Sequence, residues 1–116
     1  MEDWIDRKSL AKLARDKKCR RNDFVTATPV EWRPMEIISP VSQMPFTDSG
    51  AWSFIAELLE GDYPWQEVVL DQPPGQKALA LIIDVPGNLA QVYIKVHMLG
   101  GKIYGRSFHL SDYKSY

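Results

Sequence analysis

Side chains that carry covalent or metal chemistry are scarce in this sequence. Its 116 residues include one cysteine, Cys19, and two histidines, His97 and His109. A single cysteine excludes a disulfide within the chain and fits a reducing compartment, so a cytoplasmic location is expected. No histidine or cysteine has a partner at metal-ligand spacing, and the expectation is no metal and no cofactor. No apolar run approaches the ~20 residues of a spanning helix, and the first residues are charged rather than signal-like, so no membrane partner is expected. A glycine-rich phosphate loop, an internal repeat and a low-complexity tract are also lacking.

Charge of one sign is lacking overall, since the formal net charge is −1. Its distribution is uneven. Residues 7–21 hold eight Lys/Arg against one Asp, residues 31–71 hold much of the acid, and residues 77–116 hold five Lys/Arg against two Asp. A basic, an acidic and a basic segment permit contact with a nucleic-acid backbone without requiring it. Hydrophobic residues make up 45% of the chain and include four tryptophans, enough for the core of a single domain.

The stretch from Gln91 to Leu110 organises the rest. Two alternating runs flank Gly100-Gly101, and a two-residue hairpin turn favours glycine because both positions take positive φ. Pairing Leu99 with Lys102 sets His97 opposite Tyr104, Val96 opposite Gly105, Lys95 opposite Arg106 and Tyr93 opposite Phe108. Val92, Ile94, Val96, Met98 and Ile103 then form a core face. Tyr93, Lys95, His97, Tyr104, Arg106 and Phe108 form a basic, aromatic face. Like charges across a strand pair repel, so Lys95 and Arg106 side by side call for an anion between them. Residues 77–85 add a strand through the Pro86-Gly87-Asn88 turn. Leu79, Leu81 and Ile83 join the core face, and Ala78, Ala80 and Ile82 line a shallow floor on the other.

Earlier segments fill in the architecture. Residues 2–21 read as a basic amphipathic helix capped by Asp3, with Trp4, Ile5, Leu10, Leu13 and Ala14 inward. Residues 24–47 hold Pro29, Pro34 and Pro40 and read as extended, anchored by Trp32. Residues 48–61 form a second helix. Thr47-Asp48-Ser49 supplies its N-cap, Ala51, Phe54, Ile55, Leu58 and Leu59 its apolar stripe, and Gly61 its C′ position. Residues 65–71 are a first strand, and the tail from residue 111 is polar. The expected class is α+β: N-terminal helices on one face of an antiparallel meander of about four strands, within residues 65–110.

Trp65-Gln66-Glu67-Val68, Val92-Tyr93-Ile94-Lys95 and Ser107-Phe108-His109 resemble the closing strands of MqsR-type toxins, part of the RelE-like group of toxin–antitoxin ribonucleases. The resemblance spans about the last half of the chain. It implies a compact RelE-like endoribonuclease that cleaves RNA without metal and is neutralised by a protein antitoxin. Gln66 and Tyr93 match active-centre positions of that group, and His109 falls where a basic residue follows Ser-Phe. The chain differs in having residues 77–85 inserted between the first two motifs, and in having no lysine from Ser53 to Asp62.

Metal-free RNA cleavage needs a proton carrier and an offset for phosphorane charge. His97 and His109 are the candidate carriers, with Tyr93 and Gln66 beside them. Lys95, Arg106 and Lys102 are the candidate phosphate binders, and Tyr104 and Phe108 the candidate base-stacking residues. The hairpin register selects His97, and the resemblance selects His109. Two other readings stand beside this one. The chain could be a protein-binding module without catalysis, such as a phage or mobile-element inhibitor or an immunity-type protein, or a nucleic-acid binder that does not cut.

Overall fold

A computed structural model describes residues 7–21, 32–70, 75–88 and 90–111. The chain folds as α+β, with two helices against a five-stranded sheet. Helix α1 is Arg7–Arg15 and helix α2 is Asp48–Glu60. Strand β1 is Arg20–Arg21, β2 is Gln66–Val69, β3 is Lys77–Ile83, β4 is Val92–Leu99 and β5 is Lys102–Leu110. Spatial order is β1-β5-β4-β3-β2. The last four strands form the expected antiparallel meander. β1 adds a fifth, pairing parallel to β5 at its outer edge, so the sheet is mixed.

Helix α1 stops at Arg15 instead of running to residue 21. The Asp16 carboxylate accepts a hydrogen bond from the Lys18 backbone N–H at 2.9 Å, which offers the chain a turn in place of another helical rung. The same bond is the main cause holding the Asp16 carboxyl below its usual range, followed by the contact from the Cys19 thiol. After this turn Arg20 and Arg21 are extended. Trp4, Ile5 and the Asp3 cap lie outside the described residues, as do Pro29 and residues 112–116 of the tail.

Helix α2 follows its sequence signals closely. Thr47 caps it, its hydroxyl oxygen accepting from the Gly50 N–H at 2.9 Å. Gly61 ends it, but with φ −87° and ψ −175°, an extended and not a left-handed conformation. Glycine is suited there because a Cβ would meet the Tyr63 ring at 2.7 Å. Arg15 on α1 clasps Glu60 on α2 through two bonds of 3.1 and 2.7 Å.

The segment before α2 is partly coiled. Pro34–Glu36 is a single 3-10 turn where extended backbone was expected, and Ile38 bridges Pro45. Asn88 in the β3–β4 turn clamps Ile38, donating to its carbonyl at 3.0 Å and accepting from its N–H at 2.8 Å. Trp32 serves as the anchor. It bridges Phe108 alongside β5, and its ring lies 5.1 Å from the Trp52 ring of α2.

One core joins helices and sheet. Leu10, Ala11 and Ala14 from α1 and Trp52, Ile55 and Leu59 from α2 cluster with Leu81, Val92, Ile94, Val96, Ile103 and Phe108. Strand side chains alternate, so these sheet residues point to one side and their neighbours to the other. That second face carries no helix among the described residues.

Candidate functional site

The helix-free face is built in rows. Gln66, Ala80, Lys95 and Ser107 stand side by side across β2, β3, β4 and β5. Ile82, Tyr93 and His109 form the next row toward the start of β4. His97, Tyr104 and Arg21 form a row on the other side, and Leu99 and Lys102 close the hairpin tip. The tip is the expected glycine turn, with Gly100 at φ 61° and Gly101 at φ 78°.

The register of β5 changes partway along it. From the tip, Met98–Ile103, His97–Tyr104 and Val96–Gly105 pair as the alternation predicts. Lys95 then pairs with Ser107, so Arg106 is an extra residue, a β-bulge. This corrects two expectations. Lys95 and Arg106 are not a cross-strand pair, and the repulsion argument for an anion between them falls. Phe108 pairs with Ile94 and turns into the core, fully buried, so it is not a base-stacking residue. The same shift brings His109 opposite Tyr93 on the helix-free face.

Gly105 lets this happen. A Cβ there would lie 2.3 Å from the Trp32 ring. Trp32 uses the missing side chain as its seat, and the register shifts at the next residue.

The two histidines have opposite surroundings. His109 is half-buried, its ring 5.5 Å from that of Tyr93 at 55°. Its Nδ1 lies 2.7 Å from the Leu110 carbonyl oxygen. A carbonyl only accepts, so Nδ1 carries the proton and Nε2 of the neutral ring keeps its lone pair. His97 is 1% exposed and stacks flat on Tyr104, with ring centroids 5.0 Å apart and planes at 9°. Its Nδ1 is buried without a hydrogen-bond partner among the described residues. Burial, then the nearby charge of Arg106, pushes its pKa down to about 4. His97 is therefore neutral around pH 7, and the expectation that it carries protons there does not hold.

The cations are distributed along the face. Lys95 extends its ammonium over the Tyr93 ring, 5.9 Å from the centroid, a cation–π distance. Among the described residues, Lys95, Lys102 and Arg21 form no ion pair. Among the described strand residues on this face there is no Asp or Glu. Arg21 was hidden in the sequence by its apparent place in a helix. In β1 it alternates with Arg20, which turns to the helices and donates to the Ala14 carbonyl at 3.0 Å.

Among the described residues no group of three His, Cys, Asp or Glu side chains could hold a metal ion, and no helix is long and apolar enough to cross a membrane. A second feature lies away from the sheet face. A groove of about 340 Å³ is lined by Val41, Pro45, Phe46, Thr47, Phe54 and Glu57, among others. Val41 in its wall is exposed, as are Met35 and Met44 in the same segment.

Comparison with known proteins returns nothing: no family model, no curated protein and no solved structure matches the chain.

Proposed function

We propose that the helix-free face binds RNA and cuts it without a metal, as an endoribonuclease toxin of the RelE-like kind would. The observation that carries this reading is the bulge at Arg106, because it sets His109 beside Tyr93 and one row from Lys95 and Gln66.

Each side chain has a task in this reaction. His109 takes the 2′-hydroxyl proton on Nε2, and the 2′-oxygen attacks the adjoining phosphorus. The Lys95 ammonium and the Gln66 amide offset the charge that grows on the phosphate oxygens. The bond to the 5′-oxygen breaks, and that oxygen takes a proton from a water molecule hydrogen-bonded to the Tyr93 hydroxyl, the hydroxide left behind then taking the proton held on His109. The products are a 2′,3′-cyclic phosphate and a 5′-hydroxyl end. His97 takes no part in the proton transfers.

Incubating the purified protein with RNA in EDTA tests this. Cutting that leaves cyclic phosphate ends and is lost in His109→Ala is the expected result. Intact RNA with the wild-type protein overturns the reading.

A protein partner belongs to the same proposal. Val41 exposes a large apolar side chain in the wall of the groove at the start of α2, and Met35 and Met44 of the same segment are exposed as well. Exposed apolar groups of that kind suit a protein interface. An antitoxin seated there is expected to co-purify with the chain at fixed stoichiometry, and Val41→Glu with Met44→Glu to release it. The groove also favours the second reading, a binding module without catalysis, should RNA remain uncut.

A further inference from the structure

Resting on the protein-partner reading of the groove, and not on RNA cleavage, we propose that the groove between α2 and residues 39–47 seats a basic amphipathic segment of a partner protein, with one large apolar side chain filling it and a Lys or Arg meeting Glu57. One wall is a helix stripe. Gly50, Ser53, Phe54 and Glu57 follow one another at i, i+3, i+4 and i+7 along α2. Val41 and Phe46 belong to the facing wall. Half-buried Phe54 packs on buried Phe46 with ring centroids 5.2 Å apart, which gives the groove an aromatic base.

The facing segment is fixed so as to hold apolar side chains outward. Ser39 is buried, and its hydroxyl oxygen accepts from the Val41 and Ser42 N–H groups at 3.2 and 3.4 Å. Its N–H donates to the Met44 carbonyl at 2.8 Å, and the Gln43 N–H donates to the Ser39 carbonyl at 2.9 Å. Gln43 takes φ 62°, the one positive φ at a non-glycine among the described residues. The turn so held leaves Val41 86% and Met44 65% exposed. A rigid turn that keeps such side chains in water gains nothing for the chain by itself, whereas a protein surface covering them does. A small molecule confined to the groove leaves Met44 in water, and a polypeptide crossing the groove reaches past its rim.

Charge decides the kind of segment. Residues 34–76 hold seven Asp and Glu and no Lys or Arg. Among the described residues the Glu57 carboxylate makes no hydrogen bond or ion pair. Three cations touch this region, and each is already engaged: Arg15 on Glu60, Arg20 on the Ala14 carbonyl and the Ser49 hydroxyl, and Arg33 on Glu36. A Lys or Arg carried beside the apolar anchor supplies the counter-charge that Glu57 lacks. A second copy of this chain does not, because a two-fold pairing of the groove sets Glu57 against Glu57.

Selection of a displayed library of random dodecapeptides on the full chain tests this. Enriched peptides are expected to carry a large apolar residue three or four positions from a Lys or Arg. As synthetic peptides they are expected to bind about fivefold more weakly to Glu57→Gln, and roughly tenfold or more weakly to Ser53→Trp, which places an indole in the groove. Replacing their cation by Glu is expected to reverse the preference, favouring Glu57→Lys over the wild type. Asp62→Asn, an exposed acid outside the groove, is expected to change nothing. Peptides that lose affinity for Ser53→Trp but not for Glu57→Gln overturn the proposal and leave the groove as a seat for a protein of other chemistry. Failure to enrich any peptide that distinguishes the wild type from Ser53→Trp overturns both. So does sedimentation of the wild type as a dimer that Ser53→Trp dissociates, which gives the groove to a second copy.

Discussion

The Trp32 ring fills the space where a side chain on Gly105 would stand, with Cζ3 2.3 Å from the position of the absent Cβ. Trp32 also stacks near Trp52, meets Phe108 edge-on at 5.7 Å and donates from Nε1 to Asp48 at 3.1 Å, so it has little room to withdraw. Gly105→Ala is therefore expected to destabilise the fold by about 1–3 kcal/mol, the usual cost of overpacking. Urea denaturation of the variant measures this. Adding Trp32→Leu to Gly105→Ala is expected to return part of the loss, because the shorter side chain gives way. A Gly105→Ala protein as stable as the wild type contradicts the seat.

Burial of neutral His97 makes stability depend on pH. Unfolded, the imidazole titrates near its ordinary 6.5, and folded it titrates at about 4. Between these values the unfolded chain holds the extra proton. The contribution of His97 is thus fully present above pH 6.5, falls as pH is lowered toward 4, and levels off below. The span corresponds to about 3 kcal/mol. His97→Phe keeps a ring for Tyr104 to stack on and removes the proton site. Its stability is expected to fall less than that of the wild type between pH 7 and pH 4.5. Denaturant midpoints at several pH values give the comparison, and parallel curves for the two proteins contradict it.

The bulge separates two neighbours that simple alternation confuses. Phe108→Ala is expected to cost about 3–5 kcal/mol of stability, as for a fully buried phenylalanine. His109→Ala is expected to leave the unfolding transition close to that of the wild type and to lower RNA cutting by about 10²-fold or more. Unfolding curves and a cleavage time course on the same preparations read both effects. A stable Phe108→Ala that has lost only RNA affinity requires the unbulged register instead.

What was legible from the residues follows from how local the cause was. Gly100-Gly101 fixes its own turn and the first pairs beyond it, and the short Pro86-Gly87-Asn88 turn fixes the register of β3 on β4, so Leu79–Val96 and Leu81–Ile94 pair as the pattern predicts. The Arg106 bulge depends on a tryptophan far away in sequence. Counting residues along β5 cannot detect an extra one; Gly105 inside a strand was the only local sign, and the Ser-Phe-His motif pointed the same way. Two-residue β1 has no period to read, and its basic composition favoured a helix. Alternation puts Lys95 and Tyr93 on the right face because their pairing on β3 is set before the bulge, whereas Gln66 is singled out only by the Trp-Gln-Glu-Val resemblance and joins their row through β3. His97 was on the right face as well, but burial is a property of the assembled sheet and gave it a different character.

Arg20 and Arg21 provide a crossed prediction, since adjacent residues of a strand serve opposite faces. Arg20 reaches back to the Ala14 carbonyl at the end of α1 and to the Ser49 hydroxyl oxygen at 3.4 Å. It ties β1 to both helices. Arg21 faces away, in the row of Tyr104 and His97, and forms no ion pair among the described residues. Arg20→Ala is expected to lower stability by about 1 kcal/mol through the lost hydrogen bonds, and to leave the salt slope of RNA binding unchanged. Arg21→Ala is expected to do the reverse, leaving the unfolding midpoint in place and removing about 0.7 from the slope. A stability loss in both variants would mean that both arginines serve the fold. A loss of binding in both would mean that charge in the 17–21 run counts and the face it points to does not.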